Sequence, residues 1–72
     1  MMYDVFPATY EQWHHCITVE CGISLNSEFV AQRLDIWRDE NANETARFRR
    51  LYGDAYWRSM IGWFERAEAE LS

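Results

Sequence analysis

The sequence predicts an all-α fold, a small compact bundle or orthogonal array of about four helices at roughly residues 9–21, 27–39, 44–52 and 55–70. Four tryptophans, four tyrosines and four phenylalanines recur at the spacing of helix faces. No segment sustains the apolar–polar alternation of a strand, and the connections are short enough for antiparallel or orthogonal neighbours. We therefore expect residues 1–8 to form an extended N-terminal arm and residues 9–72 a single helical domain.

The first helix is predicted from its start and stop signals. Thr9 and Gln12 have the spacing of a capping box, in which each side chain accepts a backbone N–H. Gly22 supplies a left-handed stop. The stretch CITVEC leans toward β structure, but it lies inside a helical pattern. The residues expected on one shared face are Tyr10, Trp13, His14, Ile17 and Cys21.

The second helix is predicted to begin at Asn26 or Ser27, both of which are good N-caps. Val30, Leu34 and Trp37 form its inner stripe. Phe29 and Ile36 widen that stripe on one flank, which indicates contact with two neighbours. The polar run DENAN, residues 39–43, ends the helix.

The third helix is predicted to be short, with Asn43 as its cap and Gly53 at its end. Its inward residues are expected to be Phe48, Leu51 and Tyr52. The fourth helix follows from Asp54 and has the clearest amphipathic pattern in the chain. Its inward positions are Trp57, Met60, Ile61, Phe64, Ala67 and Leu71.

Composition excludes several classes of protein. A chain that is 49% hydrophobic and 17% aromatic is not disordered. The formal net charge of −5, from 12 acidic and 7 basic residues, disfavours attraction to phosphate backbones. No apolar run approaches the ~20 residues of a membrane span, and MMYDVFPATY lacks the pattern of a signal peptide. We therefore expect a small acidic cytoplasmic protein that does not engage a membrane.

The two cysteines and two histidines fall close together in the sequence but predict no site. On an α-helix Cys16 and Cys21 would project about 140° apart, which opposes a disulfide and favours free thiols in a reducing compartment. Zinc needs four convergent ligands. His14 and Cys21 would stand about 10 Å apart along the axis, and His15 projects elsewhere. We expect no metal and no cofactor.

No catalytic constellation is present either. Cys16 lacks a base within reach, and the Asp39–Glu40 pair belongs to a predicted loop. The chain has no Gly-rich phosphate loop and no lysine, which excludes Schiff-base chemistry. We predict that the protein is not an enzyme.

Arg47, Arg49 and Arg50 form the one basic cluster, and they support an alternative function. In a helix-turn-helix interpretation the third helix would present these arginines to DNA or RNA. The nearby carboxylates and the net charge oppose that function. A solvated arginine face, paired with those carboxylates, is the simpler interpretation.

The preferred hypothesis is a non-catalytic protein–protein interaction or regulatory accessory module. Tyr56 and Trp63 share a stripe about 100–120° from Trp57, outside the main core seam, and Phe29 and Ile36 form a comparable stripe on the second helix. Such aromatic stripes are either additional core or a partner surface. The predicted partner is another protein or a second copy of the chain. A third hypothesis is an acidic decoy that blocks a nucleic-acid-binding protein.

Overall fold

The computed structural model describes residues 7–71, and it confirms the predicted all-α class. Helix α1 spans Tyr10–His15 and continues as a π-helical segment, Cys16–Glu20. The later helices are α2 (Ser27–Arg38), α3 (Asn43–Tyr52) and α4 (Asp54–Leu71). Across residues 7–71 there is no β-strand. Most of the predicted arm, residues 1–8, lies outside the described residues.

Side chains cap the first two helices as the sequence predicts. The Thr9 hydroxyl accepts the Gln12 N–H at 3.2 Å, and the Gln12 side-chain oxygen accepts the Ala8 N–H at 2.8 Å. This is a capping box whose return bond falls one residue before the cap. At α2 the Asn26 side-chain oxygen accepts the Phe29 N–H at 2.8 Å. The bonds to Thr9 and Asn26 satisfy N–H groups that the first turn of a helix leaves without partners.

The second half of the first predicted helix is π-helical rather than α-helical, which corrects the sequence analysis. The Cys21 N–H donates to the Cys16 carbonyl, five residues earlier, at 2.9 Å. Thr18 is the middle of three successive β-branched residues, a type that fits an α-helix less well. Its hydroxyl donates to the His14 carbonyl at 2.7 Å and competes for an acceptor of the α-helical ladder.

The core is built mainly from the aromatic stripes of α1, α2 and α4. Phe64 of α4 lies edge-to-face against Trp13 of α1, with ring centroids 4.8 Å apart. The Tyr10 hydroxyl donates to the Glu70 carboxylate at 2.8 Å, which links the start of α1 to the end of α4. The buried apolar residues are Tyr10, Trp13, Val30, Leu34, Trp37, Trp57, Met60, Phe64 and Ala67. The predicted stripes of α2 and α4 are thus largely confirmed.

Helix α3 packs differently from the prediction. Leu51 is 61% exposed and Tyr52 is 41% exposed, whereas both were expected to face inward. Thr45 is fully buried instead, and its hydroxyl donates to the Ile36 carbonyl at 2.5 Å. This bond removes the cost of burying a hydroxyl and draws the start of α3 against the end of α2. Phe48 is half-buried, as the inner stripe requires.

Three further positions lie closer to solvent than their stripes predict. His14 and Cys21 are exposed, although both were placed on the inner face of the first helix. Leu71 is 40% exposed at the end of α4. The change to π-helical geometry after His15 rotates the following residues away from the α-helical stripe, which accounts for Cys21.

Candidate interaction surface

A continuous row of aromatic rings runs from the end of α3 along α4. The Tyr52 and Tyr56 ring centroids are 6.1 Å apart, and those of Tyr56 and Trp63 are 5.8 Å apart with an edge-to-face geometry. Trp63 in turn lies 6.3 Å from Trp13. Adjacent aromatic rings at these separations attract each other through their quadrupoles. We call Tyr52, Tyr56 and Trp63, together with exposed Leu51 next to Tyr52 in the chain, the aromatic face.

Tyr56 is held in place by a hydrogen bond and by ring stacking. Its hydroxyl donates to the Pro7 carbonyl at 2.8 Å, which ties the chain ahead of α1 to α4. Its ring stacks on that of Phe48, with an interplanar angle of 14° and centroids 6.0 Å apart. Burial raises the pKa of Tyr56, and the nearby Cys16 and Tyr52 raise it further. The phenol therefore remains a neutral hydrogen-bond donor near neutral pH.

Exposure increases along the aromatic face toward the end of α3. Trp63 and Tyr56 are half-buried, whereas Tyr52 is 41% and Leu51 is 61% exposed. The two half-buried rings form a fixed base because they pack on each other and on the core. The exposed Tyr52 ring extends this base toward solvent, and Leu51 precedes it in the chain. A graded apolar surface of this kind combines a rigid centre with accessible edges.

The structure separates the two stripes that the sequence grouped as partner-binding. Tyr56 and Trp63 are in direct ring contact. Phe29 is half-buried and packs toward Phe64, with centroids 6.4 Å apart, on the α2 side of α4. Ile36 is also half-buried, and its carbonyl accepts the Thr45 hydroxyl where α2 meets α3. The predicted set therefore lies at two places rather than in one patch.

Leu51 and Tyr52 are members of the aromatic face that the sequence analysis assigned to the core. The available signal was Gly53, whose φ of +92° turns the chain sharply between α3 and α4. The apolar character of both residues indicated burial, whereas their position just before a helix-ending glycine indicated exposure.

The arginine cluster is divided between an ion-pair network and solvent. Arg49 donates to both carboxylate oxygens of Asp54, at 2.8 and 3.1 Å, and to Glu40 at 3.2 Å. Its guanidinium carbon also lies 4.5 Å from the Trp57 ring centroid. Arg47 and Arg50 are exposed. One of the three arginines proposed to contact nucleic acid is thus bound to carboxylates within the fold.

This network also fixes the start of α4. Hydrogen bonding from Arg49 lowers the pKa of Asp54, and the same contact raises the pKa of Arg49. Asp54 is the first residue of α4, where a carboxylate interacts favourably with the positive end of the helix dipole. The pair therefore links the end of α3 to the beginning of α4 on either side of Gly53.

Histidine and cysteine side chains do not converge on a metal site within residues 7–71. No group of three His, Cys, Asp or Glu side chains in that range could hold an ion. His14 and His15 are exposed on the last turn of α1. Cys16 is half-buried, Cys21 is exposed, and both are free thiols.

Comparison with known proteins gives no relative: no protein-family model, no curated protein and no solved structure matches this chain. Among the described helices, none combines the length and the apolar character that crossing a membrane requires. The assignment of function therefore depends on the surface of the molecule itself.

Proposed function

We propose that this chain is a non-catalytic protein-interaction module that binds through the aromatic face, with a second copy of the chain as its partner. The observation that carries the proposal is the unbroken ring row from half-buried Trp63 to exposed Tyr52. Contiguous apolar surface of this type is uncommon on monomers and marks partner sites. Tryptophan and tyrosine are also enriched among the residues that dominate binding energy.

A two-fold contact suits a face of this kind. In a symmetric dimer the same patch meets itself, so an elongated apolar row can cover its own copy without a second specialised surface. Tyr52 and Leu51 would supply accessible apolar area, while Tyr56 and Trp63 are already ordered by their ring contacts. Pre-ordered side chains lose little conformational entropy on binding, which favours association.

Charge supports a protein partner over a nucleic acid. Arg49 is bound by Asp54 and Glu40, which leaves Arg47 and Arg50 as the accessible cations of the cluster. Two exposed arginines on a chain of net charge −5 offer a weak footprint for a phosphate backbone. Exposed charges around an apolar centre are the usual rim of a protein interface. We further propose that the module works in the cytoplasm, a reducing compartment in which Cys16 and Cys21 are thiols in the resting state.

The test is size-exclusion chromatography with light scattering over a wide range of protein concentration, with absorbance recorded at the protein and nucleic-acid wavelengths. The proposal predicts a concentration-dependent dimer without nucleic acid. Leu51→Ser should weaken the dimer, because it removes an apolar side chain from the face. Val19→Ser is the matched control: Val19 is 63% exposed against 61% for Leu51, and it lies in the π-helical segment. It should leave the dimer unchanged.

Two outcomes would overturn the proposal. A monomer at every concentration would reject self-association, and an equal effect of Leu51→Ser and Val19→Ser would remove the aromatic face as the contact. Co-eluting nucleic acid that dissociates at high salt would instead support the helix-turn-helix alternative through Arg47 and Arg50.

A further inference from the structure

The π-helical segment brings together two cysteines that an α-helix would separate. An i→i+5 hydrogen bond closes one π-helical turn between Cys16 and Cys21, and the Cys21 N–H to Cys16 carbonyl distance is 2.9 Å. Residue 21 therefore lies little more than one turn after residue 16, and the two side chains diverge less than they would on an α-helix. This corrects the α-helical spacing on which the sequence-based expectation depended.

The surroundings of the two thiols agree with this placement. Burial raises the pKa of Cys16, and the nearby Cys21 thiol is the next cause of that rise. Cys16 is half-buried beside the core and Cys21 is exposed. One sulfur is thus accessible to a reagent in solution, and the second is next to the first but partly shielded.

We propose that Cys16 and Cys21 form a reversible intrachain disulfide across the π-helical turn by exchange with a small disulfide of the oxidised-glutathione class. The thiolate of Cys21 attacks one glutathione sulfur, forms a mixed disulfide and releases one glutathione thiolate. The thiolate of Cys16 then attacks the Cys21 sulfur, and the second glutathione leaves. Two cysteine protons pass to solvent or to the leaving thiolates, and two electrons reduce the oxidised glutathione.

This order follows from exposure. The accessible Cys21 meets the bulky reagent, while Cys16 needs to reach only its neighbour one turn away. A neighbouring thiol resolves the mixed disulfide faster than a second glutathione can react, because the intramolecular step has a high effective concentration. The inference does not depend on the aromatic face or on the proposed self-association.

The test measures the effective concentration of the Cys16 thiol toward its neighbour Cys21. The purified chain is equilibrated with reduced and oxidised glutathione at varied ratios, quenched with acid and analysed by intact mass. The proposal predicts a species lighter than the dithiol by two hydrogen atoms. It also predicts an effective concentration on the order of tenfold higher, or more, in the folded chain than in the same chain unfolded with guanidinium. This comparison needs no variant.

A matched variant tests the role of the π-helical spacing. In Cys21→Ser/Thr18→Cys the thiol pair is moved to positions 16 and 18, and residues two apart on a helix do not face each other. Its effective concentration should fall on the order of tenfold below that of the natural pair. Equal values for the folded and unfolded natural chain, or doubly glutathionylated chain as the main product, would overturn the proposal. A moved pair that closes as readily as the natural one would contradict the role of the π-helical turn.

Discussion

The two core tryptophans Trp37 and Trp57 should respond very differently to replacement by phenylalanine. Each is 8% exposed, and each ring has a guanidinium carbon near its face, Arg33 at 4.8 Å and Arg49 at 4.5 Å respectively. Their indole N–H groups differ. That of Trp57 donates to the Trp37 carbonyl at 3.0 Å, whereas that of Trp37 is buried and has no acceptor within the described part of the chain.

The Trp37 carbonyl has the indole N–H of Trp57 as its hydrogen-bond donor. It belongs to the last turn of α2, where carbonyls lack intrahelical partners. The N–H of Asn41, four residues later, donates to the Asp39 side chain instead. Trp57→Phe therefore leaves a buried acceptor without its donor, which costs about 1–3 kcal/mol beyond the loss of apolar area. Trp37→Phe loses similar area but leaves no new unsatisfied group.

Urea unfolding followed by circular dichroism measures this difference. Trp57→Phe should be less stable than Trp37→Phe by about 1–3 kcal/mol. For a chain of this size, with an m-value near 1 kcal/mol/M, the midpoints should differ by about 1–3 M urea. Equal midpoints, or a lower midpoint for Trp37→Phe, would refute the assignment of the carbonyl's partner.

Three other changes test the caps and polar contacts. Asn26→Ala should lower the free energy of unfolding by about 1 kcal/mol in thermal or urea melts, because α2 loses its N-cap. Thr45→Val should cost about 1 kcal/mol through loss of the bond to the Ile36 carbonyl, and Thr45→Ser should retain that bond. Tyr10→Phe should raise the pKa of Glu70 in an NMR titration, because the Tyr10 hydroxyl is the main cause of its lowered value. Since that folded-state pKa is depressed, the stabilisation from Glu70 is present above the unfolded-state pKa and is lost as pH falls through the folded value. The variant should lose less stability over that acidic interval, and an unchanged Glu70 titration would contradict the contact.

Local rules predicted most of the helical framework from sequence. Thr9, Gln12 and Asn26 cap helices where their side-chain chemistry indicates, and Gly22 and Gly53 have the positive φ that ends a helix. The inner stripes of α2 and α4 follow the helical period because each helix has one strongly apolar side. These features depend on residues within a few positions of each other.

Features that depend on tertiary contacts were not predictable in the same way. The burial of Thr45 requires a carbonyl from α2, which no pattern within α3 reveals. The exposure of Leu51 and Tyr52 depends on where α3 ends relative to its neighbours. The π-helical turn places Cys16 and Cys21 together only because the ladder shifts from four to five residues, a change that the apolar period does not signal.

Tyr56 and Trp63 were singled out correctly as being near each other, since they lie two turns apart on α4. Phe29 and Ile36 could not be placed relative to them, because their relation depends on how α2 crosses α4. Binding of a second copy through this surface is a prediction, because it depends on the side chains that remain accessible after folding.

The most direct test of self-association through the aromatic face is a dilution series of ¹⁵N-labelled protein followed by NMR. Self-association through this face predicts concentration-dependent shifts at the Leu51 and Tyr52 amides and at the Trp63 indole N–H. The Val19 amide should stay fixed, and Leu51→Ser should suppress the shifts. Spectra that do not change with concentration, or shifts centred on Val19, would contradict self-association through the aromatic face.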